Sequence, residues 1–469
     1  MELESGGVVP GHAASFGSAD RACLAAAAIA VSYAIQIHNG FFTPAALAWV
    51  IAAAVLAALA LSGWLRRPTG AGRHAVFLVL LAGLAWCFYA HARSRPGMYL
   101  AAFGSVKMQF RAMVGLAALF VGLIAFDPAR ARRFWFPAAL ASYACLGAWI
   151  ILDSPDPRID VFTVYGDGLR ALVSGHSPYS ITFANIYGHT DFYGTGMVHG
   201  SQVLFGFPYP PLALVMALPS VPLGDVRYAQ LAAMLVGAAA IGYAGRTRVG
   251  LLAAALLLFT PRGLFVIEQA WSEPLVIAWL GVLILAATRG RRTSLALGGL
   301  LAVKQHLVLA LPFAPWLSNG RDPRAARREV VVALAVAAAV TLPFAAADPS
   351  GFWRSVVTLQ FAEPFRADSL SVLAALARGG WMVPKSAMTA VPLVAAGAAG
   401  WFAWTHAPRT PAGFAATLGF VLVVLFLFSK KAFCNYYFLV LACWCASLAA
   451  SDPLPESDQG QTRVRLGSD

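Results

Sequence analysis

The sequence predicts an all-α polytopic membrane protein, and three observations carry that expectation. Of its 469 residues, 59% are hydrophobic and only 12% charged, with a mean hydropathy of +0.69. Apolar runs near the length of a bilayer crossing recur along the whole chain. Arginines gather in the short stretches between those runs. A hydrocarbon core of about 30 Å takes about 20 apolar residues as a helix. Backbone groups that cannot reach water must then bond within the segment, which favours helices over other elements.

Apolar runs fall at 22–40, 42–63, 75–91, 112–126 and 135–152, before a long polar loop. After it come 225–244, 249–260, 273–288, 293–317 (interrupted), 329–346, 386–405, 411–428 and 433–450. They predict about 13–14 transmembrane helices in one membrane domain. The expected organisation is a cytoplasmic tail (1–20), N-terminal transmembrane helices (21–152) and an extracytoplasmic loop with interfacial or re-entrant helices (153–224). A second set of transmembrane helices (225–450) carries an outer loop at 347–385, and a disordered cytoplasmic tail (451–469) follows.

The net charge of +13 is not a nucleic-acid footprint: only five of the 34 basic residues are Lys, and no basic stripe is interleaved with aromatics. The arginines instead orient the chain. Arg66, Arg67 and Arg73; Arg130, Arg132 and Arg133; Arg246 and Arg248; Arg289, Arg291 and Arg292; and Arg321, Arg324, Arg327 and Arg328 fill inter-helix loops that the positive-inside rule puts in the cytoplasm. The N-terminus, MELESGGVVPGHAASFGSAD, has no basic n-region and is unlike a cleaved signal peptide. The six cysteines lie in or beside apolar segments without metal or disulfide spacing, so inert packing is expected of them.

With the N-terminus inside, the polar loop from Asp153 to Pro208 emerges outside. The run at 209–222 is short and holds Pro210, Pro211, Pro219 and Pro222, which suits a re-entrant or interfacial segment. Kept on the outer face, it lets every later Arg cluster return to the cytoplasm. The same parity sends Pro261–Glu273, the break Lys304–His306, the loop 347–385 and residues 429–437 outside. Segments 293–303 and 306–317 become two short helices meeting at that break. Polar groups at membrane depth are costly unless they line a wet or protein-filled cavity, so five such patches on one face predict a cavity there.

The chemistry-bearing candidates follow from those patches. Asp160 and Asp167, seven apart in DVFTVYGDGLRAL, share a face if that stretch is helical. Asp160 as a plain helix cap is the simpler alternative, against which stand the clustering of carboxylates, the partner Arg170 and an amphipathic ladder of Val161, Val164, Leu169 and Leu172. Glu268 and Glu273 flank a short outer link near Arg262, read either as an exposed turn or as a second acidic site facing Asp160. Such carboxylates with His189 or His199 could hold a divalent cation, although no ligand spacing is diagnostic.

Lys304 interrupts the apolar stretch LGGLLAVKQHLVLALPF, and an intramembrane cation marks a functional site by default. Its natural partner is a lipid phosphate or one of those carboxylates; an end-of-helix lysine snorkelling outward is the alternative. Lys430 and Lys431 beside Asn435 and Tyr436 offer a second phosphate or sugar contact. Arg354, Glu363, Arg366 and Asp368 alternate with aromatics, which suits sugar stacking or an interfacial belt. Walker A, GxGxxG, HExxH and GxSxG motifs are all missing, which argues against ATP-driven or nucleotide-sugar chemistry.

At these residues the chain resembles the GT-C superfamily of integral-membrane glycosyltransferases, nearest to glycosyltransferase family 87, which includes polyprenyl-phosphate-mannose-dependent mannosyltransferases. The resemblance covers about residues 135–450 and rests on an ordered series: Asp160 opening an outer loop, ALVSGHSPY (Ala171–Tyr179), YPPLALVMALP (Tyr209–Pro219) and the KQH break (Lys304–His306). It departs from the family in four extra N-terminal helices and in Gln305 where that family often has Pro.

The resemblance implies a GT-C-like fold and transfer of a sugar, mannose or another pentose or hexose, from a polyprenyl-phosphate donor to an extracytoplasmic glycolipid or glycan acceptor. Asp160 is then the catalytic general base, and inversion turns a β-linked donor into an α-linked product. The expected substrate contacts are Asp167, Arg170, Tyr179, Tyr209, Arg262, Glu268, Glu273, Lys304, Gln305, His306, Arg366, Lys431, Asn435 and Tyr436. Lys304, Arg262 or Arg366 would stabilise the departing phosphate. The expected surroundings are membrane lipid, a bacterial plasma membrane with the site outside, and no nucleic acid. A transporter or flippase of a lipid-linked saccharide is the main alternative, though no inverted repeat is visible. A non-catalytic glycolipid-binding relative is another.

Overall fold

A computed structural model describes residues 15–64, 74–188, 192–194, 196–318 and 323–451. The chain is mostly helical. First come α1 (Ser18–Ile37), α2 (Pro44–Ser62), α3 (Ala75–Arg93) and α4 (Phe103–Phe126), then the single turn α5 (Pro128–Arg130) and a π-helical turn leading into α6 (Phe136–Asp153). The polar loop holds α7 (Asp160–Val173) and short antiparallel strands β1 (Phe183–Ala184), β2 (Val198–His199) and β3 (Gln202–Val203), in the order β1–β3–β2. After α8 (Leu212–Val215) and a 3-10 turn at Leu218–Leu223 come α9 (Arg227–Ala244), α10 (Arg248–Phe259) and α11 (Gly263–Glu268). Next are α12 (Glu273–Thr288) and α13 (Ser294–Val303), which leads into a 3-10 helix at Gln305–Ser318. Beyond α14 (Pro323–Ala347) lie α15 (Pro349–Trp353), a π-turn at Arg354–Thr358, α16 (Leu359–Ala362) and α17 (Val372–Arg378). The chain closes on α18 (Lys385–His406), α19 (Pro411–Leu427) and α20 (Cys434–Ala450).

Among the described residues seven helices are long and apolar enough to cross a membrane: α1 to α4, the continuous α5–α6 unit, α14 and α18. By length and composition this is a multi-pass membrane protein. Five shorter apolar helices of 10–17 residues join them. Helices α10, α19 and α20 are buried on nearly every side, as expected of apolar helices at the centre of a bundle. α20 packs against α1, α10, α12 and α19, whereas α14 buries only Ala326 and Ala333 and lies at the periphery.

Local chemistry sets the boundaries. Thr43 caps α2 by accepting from the Ala46 N–H at 3.0 Å, Pro44 opens the helix, and left-handed Gly63 ends it. Thr410 with Pro411 repeats the device at α19. Lys304 breaks the run 293–317 by adopting extended backbone after α13. The half that follows is 3-10 rather than the expected α-helix, with Pro312 and Pro315 each removing a backbone donor. Across 208–222 the four-residue α8 and a six-residue 3-10 turn are each too short to span a bilayer.

The two ends of the bundle differ. At one, Arg132 donates to the Gly245 and Tyr243 carbonyls, Arg289 also donates to Tyr243, and Arg248 donates to Ala125, so three of the Arg-rich loops interlock. The other end gathers the polar segments. Arg66, Arg67, Arg73, Arg321, the first fourteen residues and the C-terminal tail from 452 lie outside the described residues. Cys87, Cys434, Cys443 and Cys445 are buried, Cys23 is half-buried and Cys145 is exposed.

Helices α9 and α12 approach backbone to backbone. A Cβ on Gly281 would sit 2.4 Å from the Gly237 carbonyl oxygen, and one on Gly237 would sit 2.6 Å from that of Ile277. Small residues permit this contact, as in other membrane helix pairs. Gly281→Val should lower stability by roughly 1–3 kcal/mol or more, because backbone cannot move aside as a side chain can. Gly115→Ala on α4, where a Cβ meets nothing within 4 Å, should be neutral or slightly stabilising. Thermal unfolding of the two variants in detergent checks the contrast.

Candidate functional site

A cavity of about 300 Å³ opens at the polar end of the bundle. Its walls come from segments far apart in sequence: Asn39 and Phe41 between α1 and α2, Met98 and Tyr99 between α3 and α4, and Asp160 with Val161 at the start of α7. The aromatic stretch Tyr187–Tyr209 adds Phe192, Tyr193 and Phe205. Gln269 and Trp271 follow α11, Glu363 and Arg366 follow α16, and Lys431, Asn435 and Tyr436 surround the start of α20.

Asp160 is the first residue of α7, where an acidic side chain is favoured by the helix dipole. Its Oδ1 accepts from the Val161 N–H at 2.8 Å and the Tyr187 hydroxyl at 3.3 Å, while its own N–H donates to that hydroxyl at 3.2 Å. Burial lifts the carboxyl above the usual range. The Lys431 charge, the Val161 N–H and the Tyr187 hydroxyl pull it back, and Glu363 pushes it further up. Burial, then the Asp160 charge, raises the Tyr193 hydroxyl as well.

Two cations face the same space. Lys431 Nζ donates to Glu363 Oε1 at 2.7 Å. Burial alone would lower this ammonium, but the Glu363 carboxylate outweighs it and holds it above the ordinary value. Arg366 grips Asp368 through Nε at 2.8 Å and Nη2 at 2.7 Å, and lies between the rings of Phe192 and Phe433. Burial would lift Asp368, yet the guanidinium outweighs it and keeps the carboxyl below the usual range. Each cation keeps further N–H donors for a ligand, since a guanidinium carries five and an ammonium three.

Beneath the floor lies a buried ion pair. Glu273 Oε1 accepts from Lys304 Nζ and, at 2.9 Å, from the Asn435 amide. The lysine side chain is 6% exposed and the glutamate 1%, and Tyr209 and Tyr436 rings cover the ammonium at 5.7 and 5.5 Å. Of the two partners expected for Lys304, the structure supplies the carboxylate. Lys304 does not line the cavity and does not snorkel outward.

The other expected contacts divide plainly. Asp160, Tyr209, Arg366, Lys431, Asn435 and Tyr436 line one cavity. Glu268 is not an open acidic site: it is fully buried and accepts from the Met98 and Tyr99 N–H groups at 2.7 and 2.8 Å. Arg262 donates to the Arg95 carbonyl at 3.3 Å, and Gln305 to those of Pro208 and Val356 at 2.8 and 3.2 Å. Tyr179 donates to the Tyr209 carbonyl, and His306 packs edge-on to Phe426. None of these five lines the cavity; all but His306 fasten backbone to backbone or helix to loop through side-chain hydrogen bonds.

Asp167 and Arg170 pair with each other in a separate groove of about 930 Å³, lined also by Asp156, Arg158 and Asp225. The expected shared site with Asp160 is corrected here. Seven residues advance a helix by about 10 Å, so Asp167 lies beyond the cavity although its angular position is similar. Among the described residues no three His, Cys, Asp or Glu side chains come together to hold a metal ion, and His189 lies outside those residues.

Asn39, Met98 and Tyr99 as well as Tyr187, Phe192 and Tyr193 line the cavity without being among the residues the sequence predicts for it. The helix parity that put the other patches on one face puts the turns after α1 and α3 there too. The aromatic density of 179–209 was a second available signal. Fold and site together define a multi-pass helical membrane protein with a polar, aromatic-walled cavity at one end. Comparison with known proteins finds no matching family model, curated sequence or solved structure.

Removing one partner of a buried ion pair leaves an uncompensated charge, at a cost of roughly 3–5 kcal/mol. Lys304→Met should therefore destabilise the protein strongly, and Lys304→Met combined with Glu273→Gln should recover most of the loss. Thermal unfolding of both variants measures it.

Proposed function

We propose that the chain is a GT-C-type integral-membrane glycosyltransferase that transfers a sugar from a polyprenyl-phosphate donor to a glycolipid or glycan acceptor on the extracytoplasmic face. The observation that carries this reading is the Asp160 carboxylate, raised by burial, facing a cavity that also presents Lys431 and Arg366. Glycosyl transfer with inversion needs those elements on opposite sides of one sugar. The acceptor oxygen attacks the anomeric carbon as Asp160 takes its proton, the bond to the phosphate oxygen breaks, and the lipid phosphate departs with the bonding electrons. It leaves on its own charge and needs no general acid, so the two cations have only to balance that charge.

The aromatic rings fit the same chemistry. Tyr187, Phe192, Tyr193 and Tyr209 offer flat faces to the C–H side of a sugar ring, and exposed apolar helix surface supplies the medium for a polyprenyl tail. The resemblance to family 87 favours mannose as the sugar.

Asp160→Asn should cut transfer from radiolabelled polyprenyl-phosphate mannose into membrane glycolipid by about 10²–10⁴-fold. Binding of the donor should persist, and unchanged transfer would remove the assignment. The pH profile gives a second check. A base works only when ionised, so kcat/KM should fall as pH drops through the Asp160 pKa, on an acid limb above the ordinary aspartate range. Because the Lys431 charge lowers that pKa, Lys431→Met should move the limb to still higher pH.

A further inference from the structure

Two walls of the cavity come from the first four helices, and both are built to stay in place. In the turn after α1, Gly40 lies so close to α20 that a Cβ would meet the Cys434 nitrogen at 2.3 Å. Phe41 bridges to Ser369, the Phe42 N–H donates to the Asp368 carbonyl at 2.9 Å, and Arg378 covers the Phe42 ring at 5.0 Å. In the loop after α3, the buried Glu268 carboxylate holds the Met98 and Tyr99 N–H groups, and a Cβ on Gly97 would collide with it. The Tyr99 hydroxyl donates to the Arg158 carbonyl at 2.9 Å, two residues before Asp160.

Within this fixed wall Asn39 stands out. Asn39 lines the cavity, and among the described residues its half-buried side-chain amide has no hydrogen-bond partner in the protein. An amide offers two donors and an acceptor, the pattern that engages a sugar hydroxyl. Its place relative to the cations narrows the choice of ligand. Phe41, two residues on, packs on Phe433 at 5.4 Å, and the Phe433 ring lies under the Arg366 guanidinium at 5.2 Å. The turn is therefore beside Arg366, one of the two cations that would meet the donor phosphate, and the sugar next to that phosphate is the donor's.

We propose that Asn39 is a specificity-determining residue that binds a hydroxyl of the donor sugar, which makes the N-terminal helices part of the substrate site. This rests on the glycosyltransferase reading above. The competing account is that Asn39 serves only the turn, because its φ of +55° lies where Asn and Gly are favoured.

Asn39→Gly separates the two accounts, since Gly suits that backbone at least as well and removes only the amide. The full chain in nanodiscs is titrated with polyprenyl-phosphate mannose and, in parallel, with polyprenyl phosphate lacking the sugar. The expected result is at least tenfold weaker binding of the mannosyl lipid, unchanged binding of the bare phosphate and an unchanged Tm. Equal affinity of parent and variant for the mannosyl lipid overturns the proposal. Should Asn39→Gly lower the Tm, the ratio of its affinities for the mannosyl lipid and the bare phosphate, which a smaller folded fraction does not move, decides: a ratio equal to the parent's overturns the proposal. A parent protein that binds neither lipid overturns the functional reading itself, whereas a parent that binds with Asn39→Gly equal to it overturns only the role of Asn39.

Discussion

The arrangement of the cavity depends on a lysine and a glutamate held away from water beneath its floor. Glu273 is the first residue of α12, Lys304 is the break after α13, and Asn435 stands at the start of α20, so one carboxylate ties three helix ends together. Forming such a pair gains little net stability, because two charges must be dehydrated, but separating it is expensive. The three ends are thereby committed to one relative position. The tyrosines over the ammonium, Tyr209 and Tyr436, are also surfaces of the cavity, so the pair fixes the floor on which a ligand would rest.

Around that floor, polar side chains serve as fasteners for loop backbone. Glu268 binds two N–H groups of the loop after α3, Gln305 binds carbonyls from two separate loops, and Tyr437 donates to the Leu370 carbonyl. Backbone donors and acceptors out of contact with water need partners, and here side chains from distant helices supply them. The result is irregular backbone at the end of an apolar bundle, tolerated because it is bonded to protein. It also leaves Asp160 with a defined surround of Tyr187, Tyr193 and Lys431.

Most of the helical framework was legible in the sequence, since runs such as 273–288 and 411–428 return almost unchanged as α12 and α19. Hydrophobic length and proline placement decide such elements locally. Convergence of the polar patches was legible too, because charges in an apolar chain have few places to go. The division of labour among those charges was not. Glu268 and Glu273 look alike in sequence, yet one binds backbone and the other a lysine, a difference set by where α3 and α13 end in space. Asp160 and Asp167 have similar angular positions on α7 yet line different openings, because angular phase on a helix says nothing about which opening lies two turns further along.

The distribution of sulfur has a consequence for handling the protein. Four thiols are buried, Cys23 is half-buried on α1, and Cys145 is exposed partway along α6; both of these helices are long and apolar enough to span, so those two thiols meet lipid tails more than water. Charged maleimides should therefore find little to react with in the native sequence. A single new thiol placed in the polar loop would then report its own position against a quiet background, with no need to strip the natural ones.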